Sequence, residues 1–130
     1  MKNGFTLSEI IPAKPSQIYE AWMSSDGHAA ITGSPSKVDG RVGGEFSAWD
    51  GYIFGRTLDL TPNQRIVQAW RTSEFPEDAP DSHLEVLLEE IKGGAKVTFI
   101  HRDMPEDQVD SYRQGWEDFY FKPMREYFRK

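Results

Sequence analysis

The last stretch of the sequence, Gln108 to Lys130 (QVDSYRQGWEDFYFKPMREYFRK), predicts the longest helix of the chain. Its apolar residues recur at steps of three and four, which places them along one side of a helix with 3.6 residues per turn. They are Val109, Tyr112, Trp116, Phe119, Tyr120, Pro123, Met124, Tyr127 and Phe128. An apolar stripe of this length has to be covered by a second layer of the protein.

Pro123 is the irregular residue of this predicted helix. A proline inside a helix removes one backbone hydrogen bond and crowds the carbonyl four residues earlier, here that of Phe119. Because the apolar stripe continues past Pro123, we predict a kink at this point rather than the end of the helix. The helix is predicted to begin between Pro105 and Gln108, where acidic residues suit the positive end of its dipole.

Short segments of alternating polar and apolar residues precede the helix and predict an antiparallel sheet. The predicted strands are Phe5–Ile11, Lys37–Asp39, Glu45–Trp49, Ile53–Leu60, Arg65–Ser73, Leu84–Glu90 and Lys96–Arg102. Between two of them, Asp50-Gly51 is a dipeptide that favours the type I′ turn of a hairpin. The sheet formed by these strands is the natural cover for the apolar side of the helix.

Two short helices are predicted between the first and second strands. Pro15-Ser16 opens the first of them, since proline is favoured in the first turn of a helix. His28 to Ile31 forms the second, before Thr32-Gly33-Ser34-Pro35 breaks the pattern. The sequence therefore predicts an α+β fold in the order strand, two short helices, six strands and one long helix.

The composition limits the possible classes of protein. A chain of 130 residues with 13% aromatic residues fits one domain, residues 1–130, whose core is built from large side chains. The absence of cysteine excludes disulfides and thiolate metal sites, and a net charge of −6 opposes binding to nucleic acid. No apolar run approaches the roughly 20 residues of a membrane span, and no signal-peptide pattern is present, so a cytoplasmic protein is expected.

The order of elements resembles the helix-grip fold of the START-like (SRPBCC, Bet v-like) superfamily, in which a seven-stranded curved antiparallel sheet wraps around a long C-terminal helix. Short motifs narrow the resemblance to the family named for the activator of the 90-kDa heat-shock-protein ATPase. The run from Gly115 to Phe121 is similar to the last helix of the C-terminal domain of that co-chaperone. The motifs are Ile11-Pro12-Ala13, Ile18-Tyr19-x-x-Trp22, Gly43-Gly44-x-Phe46, Asp50-Gly51-x-Ile53-x-Gly55, Ile66-Val67-x-x-Trp70-Arg71, His101 and Gly115-Trp116.

This resemblance implies three different functions. The wider superfamily binds lipids, sterols, polyketides and other apolar molecules between sheet and helix, which implies a non-enzymatic domain that holds a small apolar ligand. The co-chaperone implies a module that interacts with the 90-kDa chaperone, although its separate N-terminal domain, which carries much of its grip on that partner, has no room in this chain. Other members are cyclases or dehydratases that need no cofactor, and such chemistry would rest here on proton transfer by His101, Tyr112 or Tyr120.

For the first of these functions we predict a cavity with one polar group, His101. On the alternation Val97, Phe99, His101, this histidine shares a face with apolar neighbours and would lie near Tyr112 or Trp116 at the cavity mouth. It could bind a polar ligand end or transfer a proton, or it is a core histidine tied to a backbone carbonyl. The predicted walls, which could equally be plain core, are Trp22, Phe46, Ile53, Trp70, Phe99, Tyr112, Trp116 and Tyr120.

Catalytic and metal-binding motifs are missing from the sequence. His28, His83 and His101 are far apart and form no i, i+4 pair, so no metal site and no cofactor are expected. No Gly-x-Ser-x-Gly elbow occurs, which leaves serine hydrolysis unsupported.

Three surface features complete the expectations. Trp49 would face the side opposite Phe46 and offer a contact point for a protein partner. Glu74 to Ser82, with two prolines and four acids, is expected to be a mobile surface loop, with a lid beside the cavity as the alternative. Asp59 and Arg71 are expected to pair across adjacent strands.

Overall fold

The computed structural model describes residues 3–129. Within this range, seven strands form one antiparallel sheet with the order β1-β7-β6-β5-β4-β3-β2. The strands are β1 Phe5–Ile11, β2 Lys37–Val38, β3 Glu45–Ala48, β4 Ile53–Thr61, β5 Arg65–Thr72, β6 Ser82–Ile91 and β7 Gly94–Arg102. The predicted strand count, chain order and helix-grip fold are confirmed, and every strand boundary agrees with the prediction to within two residues.

Two short helices lie between β1 and β2, as predicted. Helix α1 spans Pro15–Trp22 and begins with the proline. Helix α2 spans Ser25–Thr32 and is longer than the single turn expected. Its earlier start has a local cause, because the side chain of Ser24 accepts a hydrogen bond from the N–H of Gly27 (3.0 Å) and caps the helix.

The C-terminal segment is helical almost throughout but changes its winding twice. It opens with a 3₁₀ turn at Glu106–Gln108 and continues as α3, Val109–Trp116. A π-helical turn covers Glu117–Phe121, and α4 follows at Lys122–Phe128. Within residues 3–129, no helix is long and apolar enough to cross a membrane.

The π-helical turn lies directly before Pro123, where the sequence predicted an irregularity. The N–H of Lys122 reaches back five residues to the carbonyl of Glu117. Pro123 has no N–H to donate to the carbonyl of Phe119. A wider turn at this point therefore sacrifices less backbone hydrogen bonding than it would in an uninterrupted α-helix. The turn also inserts one residue into the helical repeat, so that Tyr120 and Phe121 are both buried while Phe119 is 54% exposed. The predicted apolar stripe had Phe119 on its covered side and lacked Phe121.

The core lies between the concave face of the sheet and the helices. Trp22 of α1 packs against Phe99 of β7 and against Trp116 of α3, with ring centroids 5.6 and 6.2 Å apart. Phe99 also stacks on Phe121, with centroids 4.6 Å apart and ring planes within 11°. Burying each such side chain contributes on the order of 2–3 kcal/mol, so this aromatic cluster fixes the helices on the sheet.

The segment between β5 and β6 is anchored, which the expectation of a mobile surface loop did not foresee. The guanidinium of Arg71 donates hydrogen bonds to the carbonyls of Pro76 (3.1 Å) and Ala79 (2.9 Å) and to the carboxylate of Asp81. Phe75 is buried and packs against Trp70, with centroids 6.2 Å apart. These contacts depend on how the chain packs, and a sequence rich in proline and acidic residues does not predict them.

The expected pairing of Asp59 with Arg71 is wrong. The register of β4 and β5 places Arg71 opposite Phe54 and Asp59 opposite Val67. Asp59 instead pairs with Arg65, 3.0 Å away, and Arg71 pairs with Asp81. The turn between the two strands sets this register, because Thr61 pairs with Arg65 and the pairing runs outward from there; the β-bulge between Thr57 and Asp59 shifts it by one residue only.

Candidate functional site

A cavity of about 390 Å³ opens between the C-terminal helix and the end of the β3–β4 hairpin. Its wall is made almost entirely of aromatic and apolar side chains. The lining residues are Trp49, Tyr52, Ile53, Trp70, Ser111, Tyr112, Gly115, Trp116, Phe119 and Tyr120. A cavity of this size and character is typical of sites for small molecules.

Two small residues on α3 leave the space open. Ser111 and Gly115 are four residues apart, so they lie one above the other on the same side of the helix. A Cβ atom built on Gly115 would come no closer than 3.8 Å to another side chain, the ring of Phe119. Among residues 3–129, no other side chain approaches this position of the helix, so Ser111 and Gly115 leave the space beside them unfilled.

Trp49 closes one side of the cavity mouth, and the expectation that it faces the other side of the sheet is wrong. Its backbone has a φ of 54°, which takes it out of the extended strand and its alternation. The half-buried indole packs edge-on against Phe119, with centroids 5.4 Å apart. Asp50 and Gly51 follow with φ of 56° and 89°, and the N–H of Tyr52 bonds to the carbonyl of Trp49 (3.2 Å), as a type I′ turn requires.

One end of the cavity carries a hydrogen-bonded polar cluster. The hydroxyl of Tyr112 donates to Oε1 of Gln108 (2.5 Å) and lies 2.7 Å from the hydroxyl of Thr72. Gln108 in turn donates from Nε2 to the carbonyl of Glu74 (2.9 Å), and the hydroxyl of Tyr52 donates to the carboxylate of Glu74. Burial raises the pKa of both Tyr52 and Tyr112, so both phenols are neutral at pH 7.

Tyr120 lines the cavity, and its hydroxyl is bonded to helix α2. The hydroxyl donates to Nε2 of His28 on α2 (2.7 Å), and Nδ1 of His28 donates to the carbonyl of Trp22 (3.0 Å). Burial lowers the pKa of His28 and raises the pKa of Tyr120, which keeps both groups neutral. Sequence reasoning missed this pair, because the two residues are 92 positions apart and no motif joins them.

His101 lies behind the cavity wall, fully buried, and not at the mouth where it was expected. The hydroxyl of Ser82 donates to the carbonyl of Trp70 (2.6 Å), so Nε2–H of His101 donates to Ser82 (2.8 Å). Its Nδ1 accepts a hydrogen bond from the indole of Trp116 (3.0 Å). Burial lowers the pKa of His101 to about 3. Both ring nitrogens are occupied, which is the arrangement of a core histidine tied to a backbone carbonyl through one serine.

Of the nine predicted ligand-binding residues, the structure brings five together around the cavity: Ile53, Trp70, Tyr112, Trp116 and Tyr120. His101, Trp22, Phe46 and Phe99 are buried in the core outside the lining. Alternation correctly identified the face that these residues share, but it does not show how far along each strand the helix stays in contact. Phe99 is covered by Phe121, and Phe46 lies over Gly55 of the neighbouring strand.

Five lining residues were not predicted: Trp49, Tyr52, Ser111, Gly115 and Phe119. Ser111 and Gly115 have a pattern that is visible in the sequence, because two small residues one turn apart interrupt the apolar side of the helix. Such a pattern indicates space beside the helix. Trp49 and Tyr52 flank the Asp50-Gly51 turn signal, and only the three-dimensional course of the hairpin brings them to the helix.

The cavity is apolar except at one end, where the phenol hydroxyls of Tyr52 and Tyr112 lie. None of the ten lining residues carries a charged side chain, and the phenols that line it are weak acids made weaker by burial. Among residues 3–129, no group of three or more histidine, cysteine or acidic side chains could hold a metal ion. The arrangement suits binding by shape and aromatic contact.

Comparison with known proteins identifies the family to which the chain belongs. Residues 12–129 match the family described as "Activator of Hsp90 ATPase homolog 1-like protein". The human protein "Activator of 90 kDa heat shock protein ATPase homolog 1" is 27% identical over 123 residues, which cover 95% of this chain and 36% of the human protein. The chain thus spans little more than a third of that relative's length.

Solved structures show the same fold. An HSP90 activator from Plasmodium falciparum superposes with a TM-score of 0.81 at 23% identity, covering 92% of this chain and 91% of that one. A protein from Chromobacterium violaceum superposes with a TM-score of 0.80 at 24% identity and covers 100% of this chain and 99% of its own. With nine-tenths of its residues matched, the chain belongs to the family of activator of Hsp90 ATPase homolog 1-like proteins.

Proposed function

We propose that this chain binds a small, mostly apolar molecule in the cavity between the β3–β4 hairpin and the C-terminal helix. The observation that carries the proposal is the cavity itself, about 390 Å³ of space lined by seven aromatic rings with no charged side chain among them. Large aromatic side chains would be expected to collapse onto one another if nothing occupied the space between them. On the helix side, Ser111 and Gly115 leave this space unfilled.

The energetics support a ligand of modest size. Burying about 200 Å² of apolar ligand surface contributes about 5 kcal/mol before the cost of association is subtracted. Aromatic contacts with the indoles of Trp49, Trp70 and Trp116 add to this figure. The cost of association, about 4 kcal/mol or more, is subtracted from this sum, so a ligand has to make most of these contacts at once to be held.

We propose binding rather than turnover because the polar groups at the cavity are already engaged. The hydroxyl of Tyr112 bonds to Gln108, and that of Tyr120 points to His28. His101, the other candidate for proton transfer, is separated from the cavity by Trp70 and Trp116, with which it is in contact.

Native mass spectrometry of the protein purified from its own source tests the proposal. A reproducible excess mass that is lost on denaturation is expected. The matched variant is Gly115→Leu, which places an isobutyl group in the cavity and should abolish the excess mass. Gln114→Leu adds the same group at an exposed position of the same helix and should retain it. A native protein without excess mass and without a thermal shift from a panel of lipids and aromatic compounds would contradict the proposal.

A second candidate function is interaction with the 90-kDa heat-shock protein. It is favoured by the match of residues 12–129, including the last helix, to relatives named as activators of that chaperone's ATPase. Titration calorimetry with the purified chaperone tests this candidate, with the human relative as a positive control. Absence of binding at concentrations where the human relative binds would contradict it.

A further inference from the structure

The aromatic lining of the cavity has an electrostatic consequence. Seven of the ten lining residues are tryptophan, tyrosine or phenylalanine. The faces of these rings carry partial negative charge and attract cations within about 6 Å, most strongly in the case of tryptophan. Because no lysine or arginine lines the cavity, none of the lining side chains supplies positive charge to offset this attraction.

A carboxylate stands at the polar end of the same cavity. Glu74 is exposed, and its Oε2 accepts the hydroxyl of the lining residue Tyr52. Its backbone is fixed as well, because its N–H donates to Thr72 (3.1 Å) and its carbonyl accepts from Gln108 (2.9 Å). A carboxylate can accept about four hydrogen bonds, so Glu74 retains capacity for a donor supplied by a ligand.

The negative potential of this carboxylate reaches the cavity wall. Glu74 and Asp107 both raise the pKa of the lining residue Tyr112, in addition to the larger effect of burial. Arg71, three residues before Glu74, is neutralised by Asp81 and bonded to two backbone carbonyls. Lys122 is exposed and follows the lining residue Phe119 by three residues, so it is one positive charge that would favour an anionic ligand instead.

We infer that the cavity takes a ligand with an apolar, preferably aromatic, body and a positively charged amine directed towards Glu74. The inference rests on the proposed function, since it names the chemical class of the molecule bound there. The aromatic rings would hold the body of the ligand, and the carboxylate would accept an N–H from its amine. A ligand whose only polar group is a carboxylate would be repelled at the same end.

Three probes that differ in one group separate charge from shape. They are 2-naphthylmethylamine, 2-naphthylmethanol and 2-naphthoate, which at pH 7 are cationic, neutral and anionic. Binding is followed by the indole N–H signals in NMR titrations of ¹⁵N-labelled protein. The signals of Trp49, Trp70 and Trp116 should shift, whereas that of Trp22, which lies outside the lining and bonds to Gln68, should move least.

We expect the amine to bind about fivefold more tightly than the alcohol, because it gains one exposed charge pair. We expect the carboxylate to bind most weakly. Glu74→Gln should remove the advantage of the amine over the alcohol while leaving the affinity for the alcohol unchanged. Glu77→Gln is the matched control, because it removes one negative charge from an exposed position of the same segment. The advantage of the amine should survive in that variant.

The outcomes distinguish this inference from the function on which it rests. If the alcohol binds as tightly as the amine, or if the carboxylate binds best because Lys122 dominates, the inference is overturned and the apolar binding site stands. The same holds if Glu77→Gln weakens the amine as much as Glu74→Gln does. If none of the three probes moves the signals of the lining tryptophans at millimolar concentration, both the inference and the proposed function are overturned.

Discussion

Trp116 on the C-terminal helix donates its indole N–H to Nδ1 of His101 on β7, 3.0 Å away. This is a hydrogen bond between two buried side chains, and it joins the helix to the sheet directly behind the cavity. It also fixes the histidine in its neutral form, because a protonated ring would carry a second N–H where Nδ1 now accepts.

The first prediction concerns the pH dependence of stability. The pKa of His101 is about 3 in the folded chain and about 6.5 when unfolded. Below pH 6.5 the unfolded state therefore binds a proton that the folded state does not, so stability is lost as the pH falls from 6.5 towards 3. Urea unfolding should show a loss of up to about 1.4 kcal/mol per pH unit from this residue, and His28, whose pKa is also lowered, adds to it.

His101→Gln separates this effect from other titrations. The variant should be less stable at pH 7 by about 1–3 kcal/mol, since at least one buried partner is left unsatisfied. Between pH 6.5 and 5 its stability should fall less steeply than that of the natural chain. An unchanged slope would show that His101 does not titrate on unfolding in this range.

The second prediction concerns Gly115. Glycine inside a helix is about 1 kcal/mol less favourable than alanine, and the Cβ of alanine would fit here, 3.8 Å from Phe119. Gly115→Ala should therefore raise the free energy of unfolding by about 0.5–1 kcal/mol in urea titrations. A loss of stability would mean that the helix lies closer to the hairpin than the structure shows.

The third prediction concerns Tyr120. Tyr120→Phe keeps the ring that lines the cavity and removes the hydroxyl that donates to His28. The buried nitrogen of His28 then lacks its donor, which should cost about 1–3 kcal/mol of unfolding free energy. Affinity for the neutral probe 2-naphthylmethanol should remain within about twofold, which is about 0.4 kcal/mol of binding free energy. The reason is that the apolar wall of the cavity is unaltered. A large loss of affinity would show that the hydroxyl takes part in binding.

The fourth prediction concerns the segment between β5 and β6. Arg71 holds it through two carbonyls and Asp81, a planar arrangement that lysine cannot reproduce. Arg71→Lys should make residues 73–81 more accessible, so limited proteolysis there should accelerate by about tenfold, corresponding to about 1.4 kcal/mol of local stability. Arg65→Lys, which alters a more exposed ion pair on the same strand, should leave the rate unchanged.

Most of the fold could be predicted because its signals are local. Alternation in Phe5–Ile11, the proline at the start of α1 and the turn dipeptide Asp50-Gly51 each specify structure within a few residues. Consecutive antiparallel strands then have few ways to pair. The long C-terminal helix followed from its periodicity, although its π-helical turn did not.

The candidate site was only partly predictable because it depends on distances between elements. The positive φ of Trp49 reverses the side on which its ring lies, and the alternation of Phe46 and Ala48 gives no warning of it. The face of β7 that carries His101 was identified correctly, but its position behind Trp70 and Trp116 depends on where the helix rests on the sheet. The side-chain partnership of His28 and Tyr120 is likewise a product of packing.

The π-helical turn at Glu117–Phe121 influences which helix side chains line the cavity, because it rotates the part of the helix after the turn relative to the part before it. Each residue of an α-helix advances the rotation by about 100°, so the one extra residue in this turn redirects every side chain that follows it relative to those before. Loss of a single residue here would change which of Phe119, Tyr120 and Phe121 meet the sheet. Relatives with the same strands could thus acquire differently shaped cavities through one insertion or deletion, without any substitution in the residues that line them.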